Sequence, residues 1–190
     1  MNMSKLLRMW QRLIRLGGMI LLLYVPLATS CNQSQLDFVP PFRSIKLLTT
    51  AKENGVEVSI ELQEDLQNHI ILAATFSPTE PGYHLYSKDL PMGGIDGVGR
   101  PTLVGFSSDF ENIDKIQASV QSEDLLIEGF CKPFPVYPTG AVTLRLPLSF
   151  PSEKLEQQSL DHVYVNYMAC SDSGTCLAPV VKKKITIEIP

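Results

Sequence analysis

Val56-Glu-Val-Ser-Ile-Glu-Leu-Gln63 puts Val56, Val58, Ile60 and Leu62 at every second position, with Glu57, Ser59, Glu61 and Gln63 between them. Successive side chains of an extended strand point to opposite faces, so this run is a half-buried β-strand with one apolar and one wet side. Val142-Thr-Leu-Arg-Leu-Pro-Leu-Ser-Phe150 repeats the pattern with five apolar residues on one face. Pro147, on the other face, has no N–H for a ladder and marks an edge or a bulge. His69–Phe76 is more continuously apolar, as a central strand is.

Outward from these runs the same signals recur. Strands are expected at Tyr83–Ser87, Pro101–Phe106, Ile116–Gln121, Asp124–Phe130, Ala141–Phe150, His162–Cys170 and Lys182–Ile189, with turn chemistry such as Pro78-Thr-Glu-Pro-Gly82 between them. Helical periodicity is absent beyond the N-terminal segment, and no repeat stands out. With 190 residues, 44% hydrophobic, 19% charged, 14 prolines and 12 glycines, the chain suits one all-β unit. The expected fold is an immunoglobulin-like β-sandwich. Leu90–Pro101, with Gly93, Gly94, Gly97 and Gly99, reads as an irregular connector without a phosphate-binding pattern.

Residues 1–31 are different in kind. Lys5, Arg8, Arg12 and Arg15 precede an apolar run from Gly17 to Leu27, and Ala28-Thr-Ser-Cys31 follows. That is an export signal of the lipoprotein type, with Cys31 as the lipidated residue, plain cleavage being the alternative. Its removal leaves 12 basic against 20 acidic residues, a net of −8 where the whole chain carries −4. So acidic a domain argues against nucleic acid and anionic membrane surfaces as partners. Residues 32–44, with Pro40-Pro41, read as a linker or N-terminal arm, and 45–190 as the domain.

Export places the domain in an oxidising compartment, where a disulfide persists. Val163-Tyr-Val-Asn-Tyr-Met-Ala-Cys170 alternates, Ser-Asp-Ser-Gly-Thr follows, and Cys176-Leu-Ala-Pro179 leaves as an apolar run. This is a β-hairpin with a thiol on each side of its neck, and Gly174 supplies the left-handed backbone of the turn. Two uses of the pair stay open: an inert staple, or a bond exchanged with other thiols. So short a loop gains only about 2 kcal/mol from closure. Zinc needs closer cysteine spacing and paired histidines, whereas His69, His84 and His162 lie in separate strands, so no metal or other cofactor is expected.

Tyr167-Met-Ala-Cys170-Ser-Asp-Ser-Gly-Thr-Cys176-Leu-Ala-Pro179 resembles the redox loop of the N-terminal periplasmic domain of the thiol:disulfide interchange protein DsbD. Gly82-Tyr-His-Leu-Tyr-Ser87 is similar to that family's Gly-Tyr-x-Leu-Tyr strand, and Gly129-Phe-Cys-Lys132 falls where the family has an aromatic-bearing cap loop. The likeness covers roughly residues 45–190. It implies an immunoglobulin-like fold, Cys176 as the exchanging sulfur, Cys170 as the resolving one, Phe130 as the cap aromatic and Tyr86 beside the site. It also implies a periplasmic location, a membrane electron transporter upstream and thioredoxin-like proteins, including disulfide isomerase and cytochrome c maturation factors, downstream.

Departures from the family are equally specific. His84 replaces an aromatic, and Cys131 holds a cap position where it is either a buried small hydrophobe or a third thiol. The family's membrane module and thioredoxin-like domain have no counterpart in the sequence, so electrons are expected from another polypeptide. Asp172, inside the loop, disfavours a thiolate by like-charge repulsion. The competing expectation, from another class, is a non-catalytic binding lipoprotein with a purely structural hairpin disulfide.

Overall fold

A computed structural model describes residues 42–151 and 162–187. The signal at 1–31, Cys31 and the arm up to residue 41 lie outside the described residues. Twelve strands run in order: β1 (Phe42–Glu53), β2 (Val56–Asp65), β3 (His69–Pro78), β4 (Tyr83–Leu85), β5 (Leu103–Gly105), β6 (Gln117–Ala118), β7 (Glu123–Leu125), β8 (Phe134–Val136), β9 (Val142–Pro151), β10 (His162–Tyr167), β11 (Ala169–Ser171) and β12 (Val180–Thr186). One 3-10 turn, Ile113–Lys115, is the helical element among the described residues.

The larger sheet has the order β1-β2-β3-β9-β6 and the smaller β12-β10-β5, with two-stranded pieces β11-β4 and β7-β8 beside them. Every pairing is antiparallel. The inner faces share one core. Val56, Val58, Ile60 and Leu62 of β2 are fully enclosed with Leu72 and Phe76 of β3, Leu144 of β9 and Val163 and Val165 of β10. This is the all-β sandwich that the alternation in 56–63 and 142–150 demands: each sheet hides its apolar face only against the other. Tyr167 closes one end, its ring edge-on to Phe76 with centroids 5.6 Å apart and its hydroxyl donating to the Glu53 carbonyl at 3.2 Å. Burial pushes that phenol up to about 12.

Several strand expectations need correction. β1 was not expected as a strand, and it takes in Phe42–Ser44, which composition assigns to the arm. Its pairing with β2 shifts register between Ser44 and Lys46 and again between Leu47 and Thr49, so its apolar residues fall out of period 2. Asn54-Gly55, both with positive φ, forms the two-residue turn joining the pair. Gln63, expected on the wet face, is 8% exposed because Arg145 donates to its carbonyl at 2.9 Å and Phe42 lies under that guanidinium.

Asp124–Phe130 does not run as one strand: β7 ends at Leu125, and Phe130 donates its N–H to the Ile127 carbonyl in a turn. β8, which pairs with β7, contains Pro135 and shows no sequence alternation. Ile116–Gln121 shrinks to the two residues of β6. Pro147 sits in the part of β9 that extends past β6. Thr143 bonds to Ser119 on the β6 side through both its N–H and its carbonyl. Backbone groups two residues apart face the same way, and β6 pairs no further along β9 than Arg145, so the N–H that Pro147 lacks would face a side with no strand among the described residues. A register shift between His69 and Ile71 on the partner strand adds the bulge.

Candidate functional site

The expected strand His162–Cys170 is cut in two, and the cut makes the site. β10 pairs with β12 and β5, whereas β11, after Met168, leaves that sheet and pairs with β4. Ala169 still faces the main core, but Cys170, one residue on, faces the other way into a second apolar cluster with Tyr86, Leu90, Phe134 and Val136.

Beyond Cys170 the chain turns back on itself. Ser171 donates its N–H to Thr175, Leu177 donates to Ala169, and Gly174, at φ 87°, donates to Ser171. Those bonds flank Cys170 and Cys176 on both sides, making them a directly opposed, non-hydrogen-bonded pair, the closest kind across an antiparallel ladder. Their Cα atoms are 4.0 Å apart and a disulfide joins them. The two sulfurs are not equivalent. Cys170 is 2% exposed, whereas Cys176 is open to solvent.

Cys170 lies beneath a phenol. Tyr86 donates its hydroxyl to Cys170 Sγ at 3.3 Å, and burial pushes that phenol above its ordinary value, so the group stays a proton-bearing donor at neutral pH. On the other side of Tyr86, Phe134 tilts against it at 5.8 Å between centroids, and Phe130 meets Phe134 edge-to-face at 5.0 Å. Phe130 thus reaches the site from the β7–β8 turn.

His84 of β4 stands opposite Cys170 in the register and is 3% exposed. Its Nδ1 lies 3.1 Å from Oδ1 of Asp172, in the hairpin turn, whose carboxylate is 70% exposed. Its Nε2 is buried with no hydrogen-bond partner among the described residues. Between the hairpin and the Leu125–Phe130 segment lies a cavity of about 490 Å³, lined by Cys170, Cys176, His84, Tyr86, Asp172 and Phe130 among others.

Of the eight site residues expected from sequence, Cys31 lies outside the described residues, and six of the other seven meet around one space. Cys131 does not: it is exposed and free, outside the lining, because the turn after Gly129 carries it to the surface. The expectation of a buried small hydrophobe there is corrected. Among the described residues no cluster of three or more His, Cys, Asp or Glu is gathered as metal ligands would be.

The sequence also concealed part of the site. Leu90–Pro101 is more than a connector: Leu90, Ile95 and Val98 pack under Tyr86, and Arg100 donates to the carbonyls of Gly93, Gly97 and Gly99, pinning the loop from inside. Three apolar residues in a glycine-rich loop were the available signal, since they need somewhere to bury. A Cβ on Gly94, at φ 75°, would lie 1.9 Å from the Val98 carbonyl oxygen. Gly94→Ala is expected to cost at least about 1–3 kcal/mol from backbone strain, read as a lower urea midpoint. Gly97→Ala, whose φ of 86° carries the same backbone strain but whose Cβ meets open space, is expected to cost less because it lacks the clash; equal losses in the two variants would contradict this account.

Comparison of the chain with family models, with curated proteins and with solved structures finds no match.

Proposed function

We propose that this domain exchanges its Cys170–Cys176 disulfide with the thiols of other proteins, passing reducing equivalents onward. The observation that carries the reading is the asymmetry of the pair: one cysteine open to solvent, the other buried under a hydroxyl donor. Thiol–disulfide exchange needs an attackable sulfur and a leaving sulfur held in place. A staple needs neither, and a loop this short makes a weak one.

When the domain receives electrons, a donor thiolate attacks Cys176 Sγ in line with the bridge. The Cys176–donor bond forms, and the pair of the old S–S bond leaves on Cys170, whose thiolate meets the Tyr86 hydroxyl. A second donor thiol then displaces Cys176, giving the dithiol and a donor disulfide. When the domain spends electrons, Cys176 thiolate attacks the partner's disulfide and Cys170 attacks Cys176 Sγ to release the reduced partner. Each full passage moves two electrons and two protons.

The sequence likeness to the DsbD periplasmic domain supports the same reading and points to the partners: a membrane electron transporter as donor, and thioredoxin-like periplasmic proteins as acceptors. The export signal supports a periplasmic place with Cys31 as a lipid anchor.

Equilibration in a graded series of glutathione buffers tests the proposal. The bond is expected to half-reduce between about −120 and −270 mV, the window of exchange proteins. A bond still fully oxidised below about −300 mV belongs to the purely structural class instead.

A further inference from the structure

His84 takes part in no step above, yet its placement is that of a working base. It stands directly across from Cys170, and Cys176 stands directly across on the other side, so the three side chains form one cross-strand row. Carboxylate Oδ1 of Asp172 faces Nδ1 at 3.1 Å, which holds the proton on that nitrogen and leaves the lone pair on Nε2. That Nε2 is buried with no partner among the described residues, and His84 is one of the residues that line the cavity beside the disulfide. A buried acceptor left unsatisfied is destabilising. A thiol formed at Cys170, the cross-strand neighbour of His84, is a prospective donor to it.

We propose that His84, oriented by Asp172, takes the proton of Cys170 as Cys170 closes the disulfide, and returns it when the disulfide opens. This rests on the exchange reading above and names the proton carrier for it. A thiol held in apolar surroundings resists ionisation, so Cys170 needs a base at the moment of attack, whereas exposed Cys176 loses its proton to water. In the closing step the Cys170 S–H proton passes to Nε2, the Cys170–Cys176 bond forms and the partner's sulfur leaves with the electron pair. The imidazolium that results is stabilised by the Asp172 carboxylate. The titratable groups around the imidazole are Tyr86 just past the end of its strand, Asp172, Cys170 and Cys176 on the hairpin, and Glu128 across the cavity.

The test separates the two chemical steps. Reduced protein is mixed with oxidised glutathione, quenched in acid at set times and weighed, which distinguishes the Cys176–glutathione mixed disulfide from the closed bridge. His84→Gln is expected to slow closure about a hundredfold at neutral pH, far more than it changes the first step. The variant rate is expected to climb steeply into the range where thiols ionise, because without a base only thiolate attacks, and the wild-type rate to depend less on pH.

Asp172→Ala, at an exposed carboxylate, keeps the test open should the buried substitution disturb folding. Removing its charge is expected to speed attack by Cys176 and to slow closure by Cys170; a charge effect alone moves both steps the same way. Closure at the wild-type rate and with the wild-type pH profile in both variants overturns the proposal. Wild-type protein that keeps both thiols throughout fails at the earlier level, and the exchange reading falls together with this one.

Discussion

Cys170→Ser is expected to accumulate a mixed disulfide on Cys176 when the protein meets disulfide-bearing thioredoxin-like partners, and Cys176→Ser to accumulate none. The difference is from near-complete trapping to background, read on non-reducing gels and by mass spectrometry of the adduct. Its cause is access: Cys176 is exposed at the hairpin neck, whereas Cys170 is 2% exposed beneath Tyr86. Without Cys170 the adduct has no resolving thiol and persists. Exposed Cys131 offers a second route to an adduct, so the experiment is repeated in a Cys131→Ser background, where the pattern is expected to stay the same. Equal trapping by the two single variants would remove the assignment of Cys176 as the exchanging sulfur. Both variants should remain folded, since a loop of this length gains only about 2 kcal/mol from its bridge.

Phe76→Ala is expected to lower stability more than opening the disulfide does, by about 3–5 kcal/mol in urea unfolding. Phe76 is fully buried and reaches across the sandwich to the Tyr167 ring at 5.6 Å, so truncation leaves a cavity in a close-packed core. The fold hangs on the packing of two apolar sheet faces, and the bridge is a local addition at one edge. That division suits an exchange protein, whose bond must open without unfolding the scaffold. A loss below about 1 kcal/mol for Phe76→Ala, or a larger loss for the Cys170→Ser/Cys176→Ser pair, would reverse the ranking.

Much of this was legible because strand structure is a local property. The alternation in Val56–Gln63 and Val142–Phe150 reports which residues face inward whatever strand lies alongside, and both runs lie in the larger sheet, with Val56, Val58, Ile60, Leu62, Val142, Leu144, Leu146 and Leu148 in the core. The Ser-Asp-Ser-Gly-Thr turn likewise carries its own geometry, with Gly174 at a positive φ between two bonded thiols. β1 was obscured by its two register shifts, and β7–β8 by Pro135 and by strands of three residues, too short for a period to declare itself.

What the amino-acid sequence determined alone is the all-β class, the hairpin and the spacing of its thiols, for these depend on contacts between near neighbours in the chain. Tertiary structure alone decided that Cys176 is the open sulfur and Cys170 the buried one, that Cys131 stays outside, and that Asp172 meets His84 from 88 positions away. The burial of Cys170 and its meeting with His84 follow from β11 leaving one sheet to pair with β4, a choice of partner strand made by packing and not recorded in the period of either segment.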